Sequence, residues 1–181
     1  METARRRVRR EPLNYISTCL FGCADMFGML SLALPYWLTS SSDATMHIGL
    51  LRSCVEVIGR SQVCYTPDPV QPEWILTFLF IVIGIIGLTI AAIANITSFF
   101  KSPYEAQTVA RFAGLIAIIF FNLAQIVFPS AFGQPQIGGS AFQLPDNFKI
   151  GSCYVLFCIS HWLTVISELC AAKICRPRWQ F

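Results

Sequence analysis

The most regular feature of this chain is a recurrence of long apolar stretches separated by shorter polar segments. A hydrocarbon core of about 30 Å takes about 20 helical residues at ~1.5 Å each, and four stretches reach that length. The pattern therefore predicts membrane-spanning helices at about residues 15–36, 74–100, 112–132 and 152–172. Two longer loops, 37–73 and 133–151, then lie on one side of the membrane.

Composition supports a membrane protein, and charge orients it. Of 181 residues, 55% are apolar and 13% are charged, against about 25% charged residues in an average soluble domain. Ten of the 13 Lys and Arg residues fall on the side of the two termini, five of them within the first ten residues. The longer loops hold the other three, Arg52, Arg60 and Lys149. Because positively charged loops stay inside, both termini are expected in the cytosol.

The N-terminal segment admits two interpretations. Basic residues, an apolar run and then small residues also describe a secretory signal, and cleavage there would leave three spans. The apolar run is long for a signal and carries Asp25, so we expect it to be retained. The predicted organisation is a single four-span domain over 14–173, flanked by a basic cytosolic tail, 1–13, and a short cytosolic tail, 174–181. The basic cluster beside a span favours contact with anionic lipid over nucleic acid.

The first outer loop is predicted to hold a disulfide. A turn-rich stretch, 39–43, is followed by two short strands at 47–54 and 61–65, which bracket a turn at Gly59 and Arg60. Cys54 and Cys64 would face each other across this hairpin, and the outer side of a membrane is oxidising. The bond would stabilise the loop by about 3 kcal/mol. The alternatives are two free thiols or a zinc site, although a zinc site lacks a second close cysteine pair.

Ionisable and amide side chains occur inside the predicted spans. Asp25 and His161 lie near the middle of the first and fourth spans, and Asn122 and Gln125 lie one turn apart in the third. Such groups usually face the bundle interior and have a partner. Asp25 and His161 are at similar depth and can pair if their helices are neighbours. A ligand-sensing site is one interpretation; a hydrogen bond of about 1 kcal/mol that fixes helix packing is the favoured one.

Two positions near the inner end of the fourth span complete the polar set. Glu168 is expected to reach the membrane interface or meet Lys173. Cys175 follows the span in a basic context that suits palmitoylation, with an unmodified thiol as the alternative.

Motifs for catalysis are missing from the sequence. It contains no His-Glu-x-x-His, no phosphate-binding glycine loop and no nucleophile motif. The two histidines, His47 and His161, cannot form a three-ligand metal site. We therefore expect no enzyme activity and no cofactor or metal.

The outer loop resembles that of the tetraspan superfamily of claudins and peripheral myelin proteins. The residues that carry the likeness are Trp37, Gly49, Leu50, Cys54 and Cys64. Leu51 departs from it, because claudins proper have Trp there. A closer similarity is to the Modulator of Smoothened family, over about residues 14–177. It is carried by 48–54, the turn at 59–60, 72–74, 144–147 and 151–157.

This resemblance implies a claudin-like fold, in which a four-helix bundle carries a small extracellular β-hairpin or sheet. It also implies a regulator that attenuates Hedgehog signalling by lowering Smoothened at the cell surface and cilium. The family acts in a transmembrane ubiquitin-ligase assembly with a large EGF-repeat membrane protein. The plasma membrane, and secondarily the ciliary membrane, is the expected location. The expected recognition residues of the outer loop are Trp37, Gly49, Leu50, Arg52, Arg60 and Trp74.

Two other functions remain open from the sequence. One is a claudin-like protein of cell–cell adhesion or junctions. The other is an accessory subunit of a channel or receptor, for which the few charges in the spans give little support.

Overall fold

Four helices form the body of the molecule. The structure, a computed structural model, describes residues 2–41, 45–56, 61–67, 71–99, 103–133 and 137–174. Within these ranges, four helices are long and apolar enough to cross a membrane, which confirms the predicted number of spans. The helices are α1 (Glu2–Ala33), α2 (Pro72–Thr97), α3 (Pro103–Ser130) and α4 (Ser152–Ile174).

The ends of the helices differ from those of the predicted spans, because the apolar stretch and the hydrogen-bonded helix do not end at the same residue. The helix α1 begins at Glu2, so the basic segment expected as a separate tail continues the apolar helix. It ends at Ala33, three residues before the predicted end, because Pro35 disfavours a helical Leu34. The helix α3 begins at Pro103, nine residues early, and a 3₁₀ turn, Ala131–Gly133, follows it. Hydropathy marks the lipid-embedded part of a helix, whereas hydrogen bonding continues through its polar end.

The helices pack as two close pairs, α1 with α4 and α2 with α3. In the α1–α4 pair the hydroxyl of Ser160 donates to the carbonyl oxygen of Ala24 over 2.7 Å. Ser167 donates to the carbonyl oxygen of Ser17 over 2.8 Å. Small polar residues thus bring these two backbones together, as is typical of helix pairs in membranes.

The two close pairs meet along two smaller interfaces. We call these the α1/α2 seam and the α3/α4 seam. Since each seam has less helix–helix contact than either close pair, its flanks are the places where surrounding lipid or another protein can reach into the bundle.

An antiparallel sheet covers one end of the bundle, which we call the sheet end. Within the described ranges it has five strands in the order β4-β3-β2-β1-β5. The strands are β1 (Leu38–Ser41), β2 (Thr45–Ile48), β3 (Ser53–Glu56), β4 (Val63–Tyr65) and β5 (Phe148–Ile150). A small sheet was expected, and both outer loops contribute to it.

Two details predicted for the first outer loop were wrong, and one strand outside it was not predicted. The stretch 47–54 is not one strand: β2 and β3 form a hairpin within it, closed by a 2.8 Å bond from the Gly49 amide to the Arg52 carbonyl. The turn-rich stretch after Trp37 begins with strand β1, because its small hydroxyl residues pair with β2 and β5. The second outer loop supplies β5, which has only three residues and therefore too short a hydropathy pattern to recognise.

The backbone at Tyr36 and Trp37 joins the sheet to the helices. The Trp37 amide donates to the Ile48 carbonyl over 3.0 Å, and the Trp37 carbonyl accepts from the Gly151 amide over 2.8 Å. The Tyr36 carbonyl accepts from the Cys153 amide over 3.0 Å, in the first turn of α4. Two consecutive residues thus hold the end of α1, the sheet and the start of α4 in one place.

The Trp37 indole extends the same junction into the bundle. Its Nε1 donates to the Ser31 carbonyl over 2.8 Å, and its side chain is 1% exposed. Its ring packs against Phe128 of α3 with centroids 5.0 Å apart, and against Phe157 of α4 at 5.7 Å. The ring therefore contributes both a hydrogen bond and aromatic contacts at the centre of the sheet end.

We predict that Gly84→Ala destabilises the bundle. A Cβ at position 84 would overlap the ring of Phe121, which is fully buried and packed against Phe157 and cannot swing aside. Overpacking of this kind typically costs about 1–3 kcal/mol. Thermal unfolding in detergent micelles is the measurement, with Gly22→Ala as the matched control because a Cβ there meets nothing within 4 Å. Equal melting temperatures for the two variants would contradict this packing.

Candidate functional site

The cysteines of the first outer loop form the predicted disulfide. Cys54 of β3 and Cys64 of β4 are bonded, and they are directly paired in the sheet. The bond holds β4, whose three residues are all exposed, against the rest of the sheet. Val63 and Tyr65, at 64% and 46% exposure, therefore project from a fixed edge strand.

A cavity of about 340 Å³ lies beneath this disulfide, where the sheet meets α1 and α2. We call it the sheet-end cavity. It collects residues that the sequence had singled out separately: its lining includes Gly49, Leu50, Arg52, Cys54 and Cys64. The remaining lining is apolar and comes from 32–35, Leu51 and Phe78. The exposed Arg52 adds a cation to an otherwise apolar wall.

Glycine at position 49 is required by the close approach of the β2–β3 turn to the end of α1. A Cβ there would lie 2.8 Å from the Pro35 Cα and 2.9 Å from the Arg52 carbonyl oxygen. Both neighbours are backbone atoms, so neither can move aside. The turn that carries Arg52 is therefore seated directly on α1, and this contact shapes one wall of the cavity.

Several residues expected to recognise partners are structural instead. Trp37, Leu50 and Trp74 are 1%, 5% and 2% exposed, so their side chains are not available to a partner protein. Their rings and chains fill the junction between sheet and helices, which the sequence pattern could not distinguish from a binding surface. Arg60 and Cys175 lie outside the described residues.

Asp25 and His161 do not pair, although α1 and α4 are neighbours. Asp25 projects into the α1/α2 seam, where its Oδ2 accepts a 3.0 Å bond from the Thr89 hydroxyl. His161 projects into the α3/α4 seam, where its Nε2 is 3.3 Å from Nδ2 of Asn122. Adjacent helices bring two residues to the same depth, but their positions around each helix decide which neighbour each one meets. The Asp25–His161 contact, which the sequence left open, is thus not formed, and each seam has one contact of its own.

The α3/α4 seam holds the remaining amide of the polar set. Gln125 Nε2 lies 3.8 Å from the Cys158 sulfur, one turn from the Asn122–His161 contact. Asn122 also donates to the Ile118 carbonyl of its own helix and is exposed on the bundle surface. These side chains lie between helices at the bundle flank rather than around a central polar chamber.

Glu168 faces the bundle interior, which corrects the expectation that it reaches the interface or Lys173. It is 6% exposed, and its carboxyl group occupies the space above Gly114 of α3. Arg111 precedes Gly114 by one turn on the same helix. One carboxyl oxygen has no hydrogen-bond partner among the described residues. Gly114 could not be recognised as part of this site from the sequence, because a lone glycine in an apolar run carries no chemical signal.

The polar groups of the described residues make contacts between the helices. Across the described ranges, no group of three His, Cys, Asp or Glu side chains could hold a metal ion. The serine beside His161, Ser160, donates its hydroxyl proton to the Ala24 carbonyl and serves helix packing. What the arrangement can do is bind: at the sheet end through an exposed edge and a cavity, and along the helices through the seams.

The chain that carries these features matches a known protein family. A sequence model of the family described as Attenuator of Hedgehog matches residues 34–177, which is 144 of the 181 residues. The chain belongs to this family. The family is also called MOSMO, so the predicted membership in the Modulator of Smoothened family is confirmed. Members are signalling regulators and not a known enzyme family.

The range matched by the Attenuator of Hedgehog family includes the sheet end and three of the four helices. It starts at Leu34, before the Trp37 junction, and takes in the sheet, the disulfide and helices α2 to α4. Helix α1, up to Ala33, lies before it. The sheet, its disulfide and the Trp37 junction all lie within the part of the chain that the family model matches.

We predict that replacing both Cys54 and Cys64 by Ser loosens the sheet edge without unfolding the helices. The lost constraint is worth about 3 kcal/mol and acts on β4, which otherwise pairs with β3 alone. Limited proteolysis in nanodiscs should then cut within 57–70 faster than in the wild type. The control is Cys170→Ser, which removes a free thiol from α4. Unchanged cleavage in the double variant would show that the disulfide does not hold the edge.

We predict that Gly114→Ala destabilises the protein and that adding Glu168→Ala restores most of the loss. A Cβ at position 114 would overlap the Glu168 carboxyl, and truncating Glu168 frees that space. The single substitution should cost about 1–3 kcal/mol, and the pair should be non-additive by about 1 kcal/mol or more. Unfolding of the two single variants and the double variant measures this coupling. Additive effects would place Glu168 away from Gly114.

Proposed function

We propose that this chain attenuates Hedgehog signalling as a non-enzymatic protein that binds other membrane proteins. The observation that carries the proposal is the match to the Attenuator of Hedgehog family over both outer loops and three of the helices. Membership supports the signalling role. The site supports a binding mechanism, because its features are a fixed edge strand, a cavity and polar seams.

In the proposed arrangement the sheet end is extracellular and both termini are cytosolic. The Cys54–Cys64 bond supports this orientation, because disulfides persist on the oxidising side of the membrane. The excess of Lys and Arg at the termini supports it independently. The molecule then sits in the plasma membrane, including its ciliary part, with a claudin-like arrangement of bundle and sheet.

The target of the proposed activity is Smoothened, whose level at the cell surface this chain lowers. In this proposal the chain is part of a transmembrane ubiquitin-ligase assembly, and the sheet end contacts the ectodomain of its EGF-repeat subunit. The exposed β4 edge supports the contact, because within the described ranges it pairs with β3 alone, and a strand edge with free backbone groups and apolar side chains is a ready binding surface. The exposed Arg52 adjoins the same disulfide and supplies a charge for specificity.

We predict that deleting the chain raises both Hedgehog reporter activity and surface Smoothened, and that the wild-type chain restores both. The Cys54→Ser, Cys64→Ser double variant should restore less than the wild type at equal surface level, because its β4 edge is no longer fixed. The Cys170→Ser variant is the matched control and should restore fully. Surface biotinylation and a transcriptional reporter give the two readouts.

Two results would contradict this proposal. If deletion changed neither Hedgehog reporter activity nor the surface level of Smoothened, the proposed signalling role would be contradicted. If the chain were instead concentrated at cell–cell contacts and its loss separated neighbouring cells, a claudin-like junction protein would be favoured.

A further inference from the structure

The α1/α2 seam contains a carboxyl group at membrane depth with incomplete bonding. Asp25 lies 11 residues after Asn14, the start of the apolar part of α1, or about 16 Å along the helix. Its Oδ2 accepts one bond from Thr89, and that hydroxyl is shared with the Ile85 carbonyl at 3.0 Å. Its Oδ1 has no donor within the described part of the chain.

A carboxyl group in this position is an open electrostatic site. Ionisable side chains within membrane spans are rare, and they ordinarily pair with another charged or hydrogen-bonding group. Here the side chain is partly exposed at the flank of the bundle, and its only described partner, Thr89, is itself exposed. Oδ1 is itself buried, so the partly exposed remainder of the Asp25 side chain, beside Thr89, is the part that a further partner can reach.

The surface next to Asp25 is shaped to admit another helix. Thr18, Gly22 and Asp25 are spaced by four and three residues, so they share one flank of α1. A Cβ at Gly22 would meet nothing within 4 Å, which makes a groove beside the carboxyl group. Cys19 and Cys23 border it and are also small and exposed. Small residues at the surface of a membrane helix let a second helix come close.

We propose that the α1/α2 seam binds a transmembrane helix of another protein, whose Lys or Arg side chain at mid-membrane depth meets Asp25. Charge complementarity selects this occupant, because a basic side chain supplies the charge and donors that the carboxyl group lacks. The inference rests on the proposed function in one respect: it names a class of membrane protein that the regulator contacts.

Other occupants match the seam less well. A lipid headgroup lies at the membrane interface, whereas Asp25 lies about 16 Å from the inner end of its span. A second copy of this chain offers no Lys or Arg at that depth, and its His161 is buried beside Asn122. None of the stretches 15–36, 74–100, 112–132 and 152–172 contains Lys or Arg.

The test uses the full-length chain in liposomes and a synthetic helix of Leu and Ala with one central Lys. A second peptide has Leu in place of the Lys, and energy transfer to labelled protein measures binding of each. The Lys peptide is expected to bind about tenfold more tightly than the Leu peptide. Asp25→Asn should remove that preference, and Gly22→Ile should weaken binding of the Lys peptide by filling the groove while leaving the carboxyl group intact.

The matched control is Met26→Ile, on the lipid-facing side of α1 at 61% exposure, which should bind both peptides as the wild type does. Retention of the Cys54–Cys64 disulfide and of the melting temperature shows that each variant is folded. Should Asp25→Asn fail to fold, Gly22→Ile still tests the groove.

Equal binding of the two peptides to the wild type would overturn the proposal. So would a Lys preference that survives both Asp25→Asn and Gly22→Ile. Energy transfer between two labelled copies of the chain that excludes the peptide would assign the seam to self-association instead. The peptide assay contains no Hedgehog component, so its failure leaves the proposed function standing, and a failed reporter assay leaves the seam result standing.

Discussion

The hydrogen bonds of Tyr36 and Trp37 are the constraint on which the rest of the structure depends. A chain that leaves a membrane helix must satisfy its free carbonyl groups close to the hydrocarbon boundary, where an unpaired polar group is costly. Here the Trp37 backbone pairs with β2 and with Gly151, and Tyr36 pairs with the first turn of α4. The end of one helix and the beginning of another are therefore fixed to the same sheet. The disulfide, the cavity and the seating of Gly49 on Pro35 all follow from this position of the sheet.

The helices below the sheet have a different organisation from a bundle with a polar centre. Close backbone contact within the α1–α4 pair uses small polar residues such as Ser160, and the Glu168 carboxyl occupies the space at Gly114 of α3. Asp25 and His161 lie instead in the two seams, where each meets an exposed partner residue. Of these groups Asp25 is partly exposed and can be reached from outside the bundle, whereas His161 and Glu168 are buried.

Much of this arrangement could be predicted from the sequence, and the missing parts have physical reasons. The spans follow from the length of each apolar stretch. The Cys54–Cys64 bond follows from the spacing of the two cysteines and from the oxidising compartment expected for their loop. The strand β5 pairs with β1 across more than 100 residues, and three residues with one exposed Lys149 give no local pattern. The buried Glu168 depends on the absence of a side chain at Gly114 on another helix. The partners of Asp25 and His161 depend on rotation about each helix, which hydropathy does not report. Trp37 was expected to recognise a partner, but its side chain is buried between the sheet and the helices. Burial depends on the assembled fold and cannot be read from the loop sequence.

The central claim is that the Trp37 junction holds the sheet and the helix ends as one unit. Hydrogen exchange in nanodiscs tests it most directly, by comparing Trp37→Leu with the wild type. The wild type should protect the amides of Trp37, Gly49, Gly151 and Cys153 to a similar degree, because they open together. In Trp37→Leu all four should exchange faster, along with those of β1 and β5, while the centres of α2 and α3 stay protected. Faster exchange at position 37 alone, with the sheet unchanged, would contradict the claim that this junction fixes the sheet to the bundle.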